Sequence, residues 1–275
     1  MLIHVDHVTR YRWSEAAAYS IQRLRLTPRP FDGQAIVEWA IDAPGIDRAG
    51  RFRDAFGNEV HLVARSGRHD EIVVRARGTV ETREHHGIVT GLAEVAPCRI
   101  FLRETALTRP DAAIRELAAG ARGEDDIARL HDLMARVRDA IDYESGTTHG
   151  ATTAGEALGL GRGVCQDHAH VFVSAARTLG IPSRYVTGYV APRGDGGETE
   201  SAHHAWAEAH VPALGWIGFD VANRVCPDEL YVRLACGLDA EQAAPVRGSR
   251  RGGGEEALDV AVLAATRGAA QSQQQ

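Results

Sequence analysis

The chain lacks any run of the roughly 18 uninterrupted apolar residues that a membrane-spanning helix needs, so no membrane span is expected. It lacks an excess of positive charge. At a net charge of −6 there is no electrostatic reason to expect nucleic acid or an anionic membrane surface as a partner. The opening Met1-Leu2-Ile3-His4-Val5-Asp6-His7 lacks a basic stretch followed by an apolar one, so no signal peptide is read there. Cysteine is scarce. The four residues Cys98, Cys165, Cys226 and Cys236 show no Cys-x-x-Cys spacing of a metal site, and reduced thiols in a cytoplasmic protein are the simple expectation.

Histidine is plentiful, with 13 residues, yet the spacings argue against a metal centre. His168 and His170 lie two apart on an expected helix and point about 200° from one another. His203 and His204 are neighbours in an expected strand and face opposite sides. No metal and no cofactor are expected.

What is present is an ordinary globular composition, 44% hydrophobic and 25% charged over 275 residues, enough for one large or two modest domains. The first hundred residues read as strands. Ile3, Val5, His7, Thr9, Tyr11 and Trp13 alternate against His4, Asp6, Val8, Arg10 and Arg12. Val37, Trp39 and Ile41 alternate against Glu38, Ala40 and Asp42. Phe56-Gly57-Asn58 reads as a hairpin turn, and Glu71 to Val80 as a further strand. Short strands with turn signals between them suggest a β-sandwich. Near residue 100 the pattern changes: Thr108-Arg109-Pro110-Asp111 reads as a helix start, and Asp125 or Asp126 opens a longer helix with Ile127, Leu130, Leu133, Met134, Val137 and Ile141 on one stripe. The expected division is residues 1–104 as the β-sandwich, 105–248 as an α+β catalytic domain, and 249–275 as a strand near Leu258 to Leu263 followed by a disordered tail.

The chemistry concentrates in Gly161-Arg162-Gly163-Val164-Cys165-Gln166-Asp167. One cysteine follows a glycine-rich loop and opens a helix marked by Val171, Phe172, Ala175, Ala176 and Leu179, which Gly180-Ile181-Pro182 stops. At a helix start the sulfur meets the positive end of the macrodipole and unpaired N–H groups, a setting that favours the thiolate. Downstream, His204, Trp206, Glu208 and His210 alternate against Ala205, Ala207, Ala209 and Val211, a strand pattern. Pro212 to Gly215 supply a turn, and a second strand ends at Asp220. Antiparallel pairing would set His204 beside Asp220. Cys165, His204 and Asp220 then form a nucleophile, a base and a group that orients it.

The runs Gly163-Val164-Cys165-Gln166-Asp167, His204-Ala205-Trp206-Ala207-Glu208 and Gly215-Trp216-Ile217-Gly218-Phe219-Asp220 resemble the transglutaminase-like superfamily. In particular the chain looks like its bacterial branch of cysteine-dependent amide enzymes with an N-terminal β domain. Thr9-Arg10-Tyr11-Arg12-Trp13 and Gln22 to Arg29 resemble that branch's N-terminal region. Pro227-Asp228-Glu229, Tyr231-Val232-Arg233 and Ala244 to Gly248 resemble its C-terminal signature. The resemblance implies a papain-like α+β core, with Cys165 as nucleophile, His204 as base and Asp220 as its orienter. Two departures stand out: Val221-Ala222-Asn223 follows the aspartate where the family has Pro and then Thr-Asn, and His203 replaces a small residue before the histidine. Gln166, Trp206 and Asn223 are possible supporting residues. Gln166 and Asp167 are read as fixing the helix start, and Trp206 as either a core residue or a wall between the imidazole and water.

The expected activity is cleavage of an amide in a peptide or protein substrate through a thioester. Transfer to an amine acceptor is the alternative within the enzyme class, and a non-catalytic binding module of the same fold is the alternative outside it. The residues do not choose the acceptor or set the oligomeric state.

Overall fold

Two strands of unusual length organise the N-terminal region. The computed structural model describes residues 1–193, 198–200 and 203–266. In it β1 (Leu2–Thr27) and β4 (Glu59–Thr82) pair antiparallel along almost their whole lengths. Ile3, Val5, His7, Thr9, Tyr11 and Trp13 all face inward, so the period-2 pattern is a buried face. Breaks in register between Arg12 and Tyr19 mark irregularities halfway along β1, where an extra residue bends a strand. β2 (Gln34–Asp42) and β3 (Gly50–Arg53) pair with β4. The alternation expected for β2 slips: a register shift between Ile36 and Glu38 turns Val37 out to solvent and leaves Ile36, Trp39 and Ile41 packed on the core. The hairpin at Phe56-Gly57-Asn58 forms as expected, with the Asp54 carboxylate accepting from the N–H groups of Phe56 and Asn58 at 3.0 Å.

A short β5 (Ile88–Val89) leads to the helical segment. α1 (Ala112–Gly120) is capped by Asp111 and α2 (Asp126–Ala140) by Asp125, each carboxylate accepting from the backbone N–H three residues on, the usual answer to the orphan donors of a helix start. β6 (Asp142–Tyr143), α3 (Ala154–Leu160) and β7 (Arg162–Gly163) follow, with β6 and β7 paired parallel. Then come α4 (Cys165–Thr178), β8 (Ser183–Val190), β9 (Glu198–Glu200), β10 (His203–Val211), β11 (Gly215–Phe219), β12 (Tyr231–Gly237) and a one-turn α5 (Ala240–Ala243).

The second sheet has the order β12-β8-β10-β11-β5. One face carries the helices: Ala207, Ala209, Val211, Ile217 and Phe219 cluster with Val171, Phe172, Ala175 and Ala176 of α4. The other packs on the N-terminal sheet, where Val186, Tyr189, Trp206 and Val232 join Ile3, Val5, Leu24 and Val63 in one apolar cluster. The alanines of β10 let α4 lie close, while Trp206 fills the space between the sheets.

The C-terminal segment holds two strands where the sequence pattern shows one. β13 (Val246–Gly252) and β14 (Glu256–Thr266) both pair with β1. β13, Val-Arg-Gly-Ser-Arg-Arg-Gly, has no apolar alternation because its side chains lie mostly in solvent; backbone pairing alone holds it. The tail expected to be disordered after Leu263 continues as β14 to Thr266, and its residues 267–275 lie outside the described residues.

Candidate active site

Cys165 opens α4 directly after β7. The turn is tight: Asp167 accepts from Val164 N–H at 2.8 Å and from Thr148 Oγ1 at 2.6 Å, as expected for a residue that fixes the helix start. A side chain on Gly163 would place its Cβ 2.6 Å from the Asp167 carboxylate oxygen, so the carboxylate needs glycine there. Gln166 reaches the other way, with Nε2 donating to Gly150 O at 3.4 Å.

β10 and β11 pair antiparallel with Ala207 opposite Phe219. His204 and Asp220 therefore meet at one end of the ladder, His204 Nε2 2.7 Å from Asp220 Oδ2. Cys165 is close enough to act on the same ring and raise its pKa. Burial works against a charged imidazole, but the bond to Asp220, the bond to Cys165 and both negative charges outweigh it and raise the His204 pKa to about 10. Burial likewise opposes ionisation of Asp220, which is fully enclosed. The hydrogen bond and charge of His204, with donors from Tyr231 and Asn223, hold it below the usual carboxylate range.

Asp220 accepts three bonds at one oxygen: from His204, from Tyr231 Oη at 2.7 Å and from Asn223 Nδ2 at 2.7 Å. Burial, then the charge of Asp220, pushes the Tyr231 hydroxyl well above its ordinary pKa, so it remains a donor. The proline missing after Asp220 is replaced by backbone closure. Asp220 and Val225 exchange N–H···O bonds of 2.8 and 3.2 Å around a turn whose Arg224 has φ of 58°. Trp206 stacks on His204 with 28° between the rings and is 2% exposed, so it is both core residue and wall. Its ring lies against Gly188, where a Cβ would sit 2.6 Å from the indole.

His203 points elsewhere. Its Nε2 lies 2.8 Å from Thr187 Oγ1, and its ring stands 6.1 Å from that of His7. Among the described residues no group of three or more His, Cys, Asp or Glu side chains converges as a metal would require.

Two elements of the site escape the sequence pattern. Tyr231 appears there only within a motif. Arg184 on β8 is fully buried and joins Glu208 in an ionic cluster. Glu208 pairs with Arg184 Nε and with Arg233 Nε at 2.8 Å, while Arg184 Nη1 reaches Glu94 at 3.0 Å and its guanidinium lies 3.9 Å from the Trp216 ring centroid. Burial would raise the Glu208 pKa, but the two arginines lower it to about 2. The signal was available: Glu208 shares the strand face of Trp206, and a carboxylate there requires a counter-charge. Glu208→Ala would leave buried guanidinium groups without their partner and is expected to cost about 3–5 kcal/mol of stability, measured by denaturant unfolding. Replacing exposed Glu241 is expected to change little.

A family model described as transglutaminase-like superfamily matches residues 115–221, and one described as bacterial transglutaminase-like N-terminal region matches residues 3–81. The chain belongs to the transglutaminase-like superfamily. An uncharacterized protein of Mycobacterium leprae is 32% identical over 276 residues, covering 94% of this chain and 97% of that one. Another, from Mycobacterium bovis, is 28% identical over 270 residues, covering 89% and 86%. Among solved structures, a protein from Cytophaga hutchinsonii proposed to be a cysteine protease superposes with a TM-score of 0.74 at 21% identity, covering 96% of this chain and 90% of that one. That likeness establishes the mixed α/β transglutaminase-like fold with its strand-rich N-terminal region.

Proposed function

We propose that this chain is a cysteine-dependent amide-cleaving enzyme working through Cys165, His204 and Asp220. The observation that carries the reading is the 2.7 Å contact of His204 with Asp220, the carboxylate braced by Tyr231 and Asn223, with Cys165 at the start of α4 close enough to act on the same imidazole.

The Cys165 thiolate attacks the amide carbon, and the carbonyl π electrons move onto oxygen. The oxyanion sits at the start of α4, where the Cys165 N–H has no intrahelical acceptor. The His204 imidazolium gives its proton to the amide nitrogen, the C–N bond breaks, and the amine leaves a thioester on sulfur. Water then attacks the thioester carbon while neutral His204 takes a proton from it. The carboxylic acid departs and the thiolate–imidazolium pair is restored. An amine in place of water would give a new amide and is the second reading. The chain contains no lysine, so an isopeptide to a lysine would have to involve another molecule.

The test is a screen of glutamine- and peptide-amide substrates with and without added primary amines, read by mass spectrometry. Release of free acid in wild type but not in Cys165→Ala supports hydrolysis. Amine incorporation exceeding acid release would replace it with transfer, and no Cys165-dependent product across the screen would reject the enzyme reading.

The Asp220 carboxylate should matter through the charge on His204. Asp220→Asn removes that charge while preserving shape. Because the histidine's pKa is raised to about 10 and Asp220 is a principal cause, the alkaline limb of the activity profile is expected to move to lower pH. An unchanged limb would mean another group orients His204. Glu208 is committed to Arg184 and Arg233 and is not free to take that place; Asp228, paired only with the exposed Arg193 at 3.0 Å, is the carboxylate to replace next.

A further inference from the structure

The first turn of α4 contains a second histidine that the proposed reaction does not use. His168 is fully buried, and both of its ring nitrogens face backbone carbonyls: Nδ1 lies 2.8 Å from Val164 O and Nε2 3.0 Å from Ile141 O. A carbonyl can only accept, and a neutral imidazole carries one N–H. In either neutral tautomer the ring would aim a lone pair at one of these oxygens at contact distance. The doubly protonated ring donates to both.

The groups around the ring act in both directions. From β6 the Tyr143 ring stacks on His168, centroids 6.1 Å apart and planes 24° from parallel, an arrangement in which an aromatic face attracts positive charge. From its own helix, the neighbouring Asp167 carboxyl is also buried, and its Oδ1 has no hydrogen-bond partner; a nearby cation offsets that cost. From α2, Arg138 Nη1 donates to the same Ile141 carbonyl at 2.9 Å; its like charge opposes the imidazolium, while the second lone pair of that carbonyl leaves room for both donors. Cys165 lies one turn back on the helix.

The two carbonyls matter for what they adjoin. Val164 directly precedes Cys165. Ile141 directly precedes β6, whose Tyr143 is paired with Gly163. The ring ties the strand beside the site to the residue before the thiol.

We propose that His168 is a positioning residue, an imidazolium that donates to the Val164 and Ile141 carbonyls at once and so holds the Cys165 thiol in place. The proposal rests on the reading of Cys165 as the nucleophile. Its direct test is ¹⁵N NMR of histidine-labelled wild type near neutral pH, with the His168 ring assigned through bonds. The expected signature is protonation at both ring nitrogens, retained in His204→Ala. A neutral-tautomer signature would overturn the proposal, whether or not any substrate is found.

The second arm is His168→Gln, which keeps one donor but turns an oxygen toward the other carbonyl. Well below its melting temperature it is expected to lower kcat and the alkylation rate of Cys165 by about tenfold to 10²-fold, the size of effect that misplacing a reacting group produces, with KM unchanged. Wild-type alkylation and turnover per folded molecule would show that His168 only stabilises the fold and would overturn the proposal. Should wild type turn over no substrate, the enzyme reading fails, while the NMR signature and the alkylation rate still decide the role of His168.

Discussion

Cys165→Ala is expected to reduce amide turnover to the uncatalysed background while the protein remains folded, because the sulfur is the only group in the proposed mechanism that forms a bond to substrate. The same residue should dominate alkylation. Near neutral pH, iodoacetamide is expected to label Cys165 well before the other three thiols. Burial raises the pKa of Cys98 and of Cys226, and Cys236 is 1% exposed. Cys165 is partly exposed and lies close enough to the His204 imidazole to act on it. Peptide mapping after a short exposure decides the point: first labelling at Cys98, Cys226 or Cys236 would remove the basis for the assignment.

His204→Ala is expected to slow turnover by about 10² to 10⁴, the usual contribution of a general acid–base residue. His203→Ala should cost far less, since that ring is bonded to Thr187 and faces His7. The reverse order of losses would mean that the wrong neighbour had been assigned. The pH dependence has a definite sign. With a pKa raised from 6.5 to about 10, His204 holds its proton more tightly in the folded protein than in the unfolded chain. The stability this contributes is fully present below about pH 6.5 and is lost as pH rises through about 10. The difference in unfolding free energy between wild type and His204→Ala should therefore shrink across that interval, and a constant difference would contradict the ion pair.

The architecture was readable where side-chain periodicity and burial coincide. The inward face of β1 from Ile3 to Trp13, the apolar stripe of α2, and the alternation of Trp206 and Glu208 against the alanines of β10 are each visible in residue order, because each element buries one face and exposes or partners the other. The helix start at Cys165 and the turn between β10 and β11 were legible for the same local reasons. Where backbone pairing alone sets the structure, the pattern is silent. β13 is a strand only because β1 offers it a ladder, and Val37 faces solvent because of a bulge that no alternation announces.

Residue order was sufficient for the family resemblance, the helix-start cysteine and the candidate set Cys165, His204 and Asp220, since these depend on short spacings and on which face of an element a residue occupies. It was not sufficient for contacts between elements distant in the chain. Tyr231 reaches Asp220 from the strand at the sheet's far edge, Glu208 finds its two arginines on two other strands, and His168 bridges carbonyls 23 residues apart, at Ile141 and Val164. A buried polar group must be satisfied by whatever the fold brings within about 3 Å, and sequence order does not reveal which residue that will be.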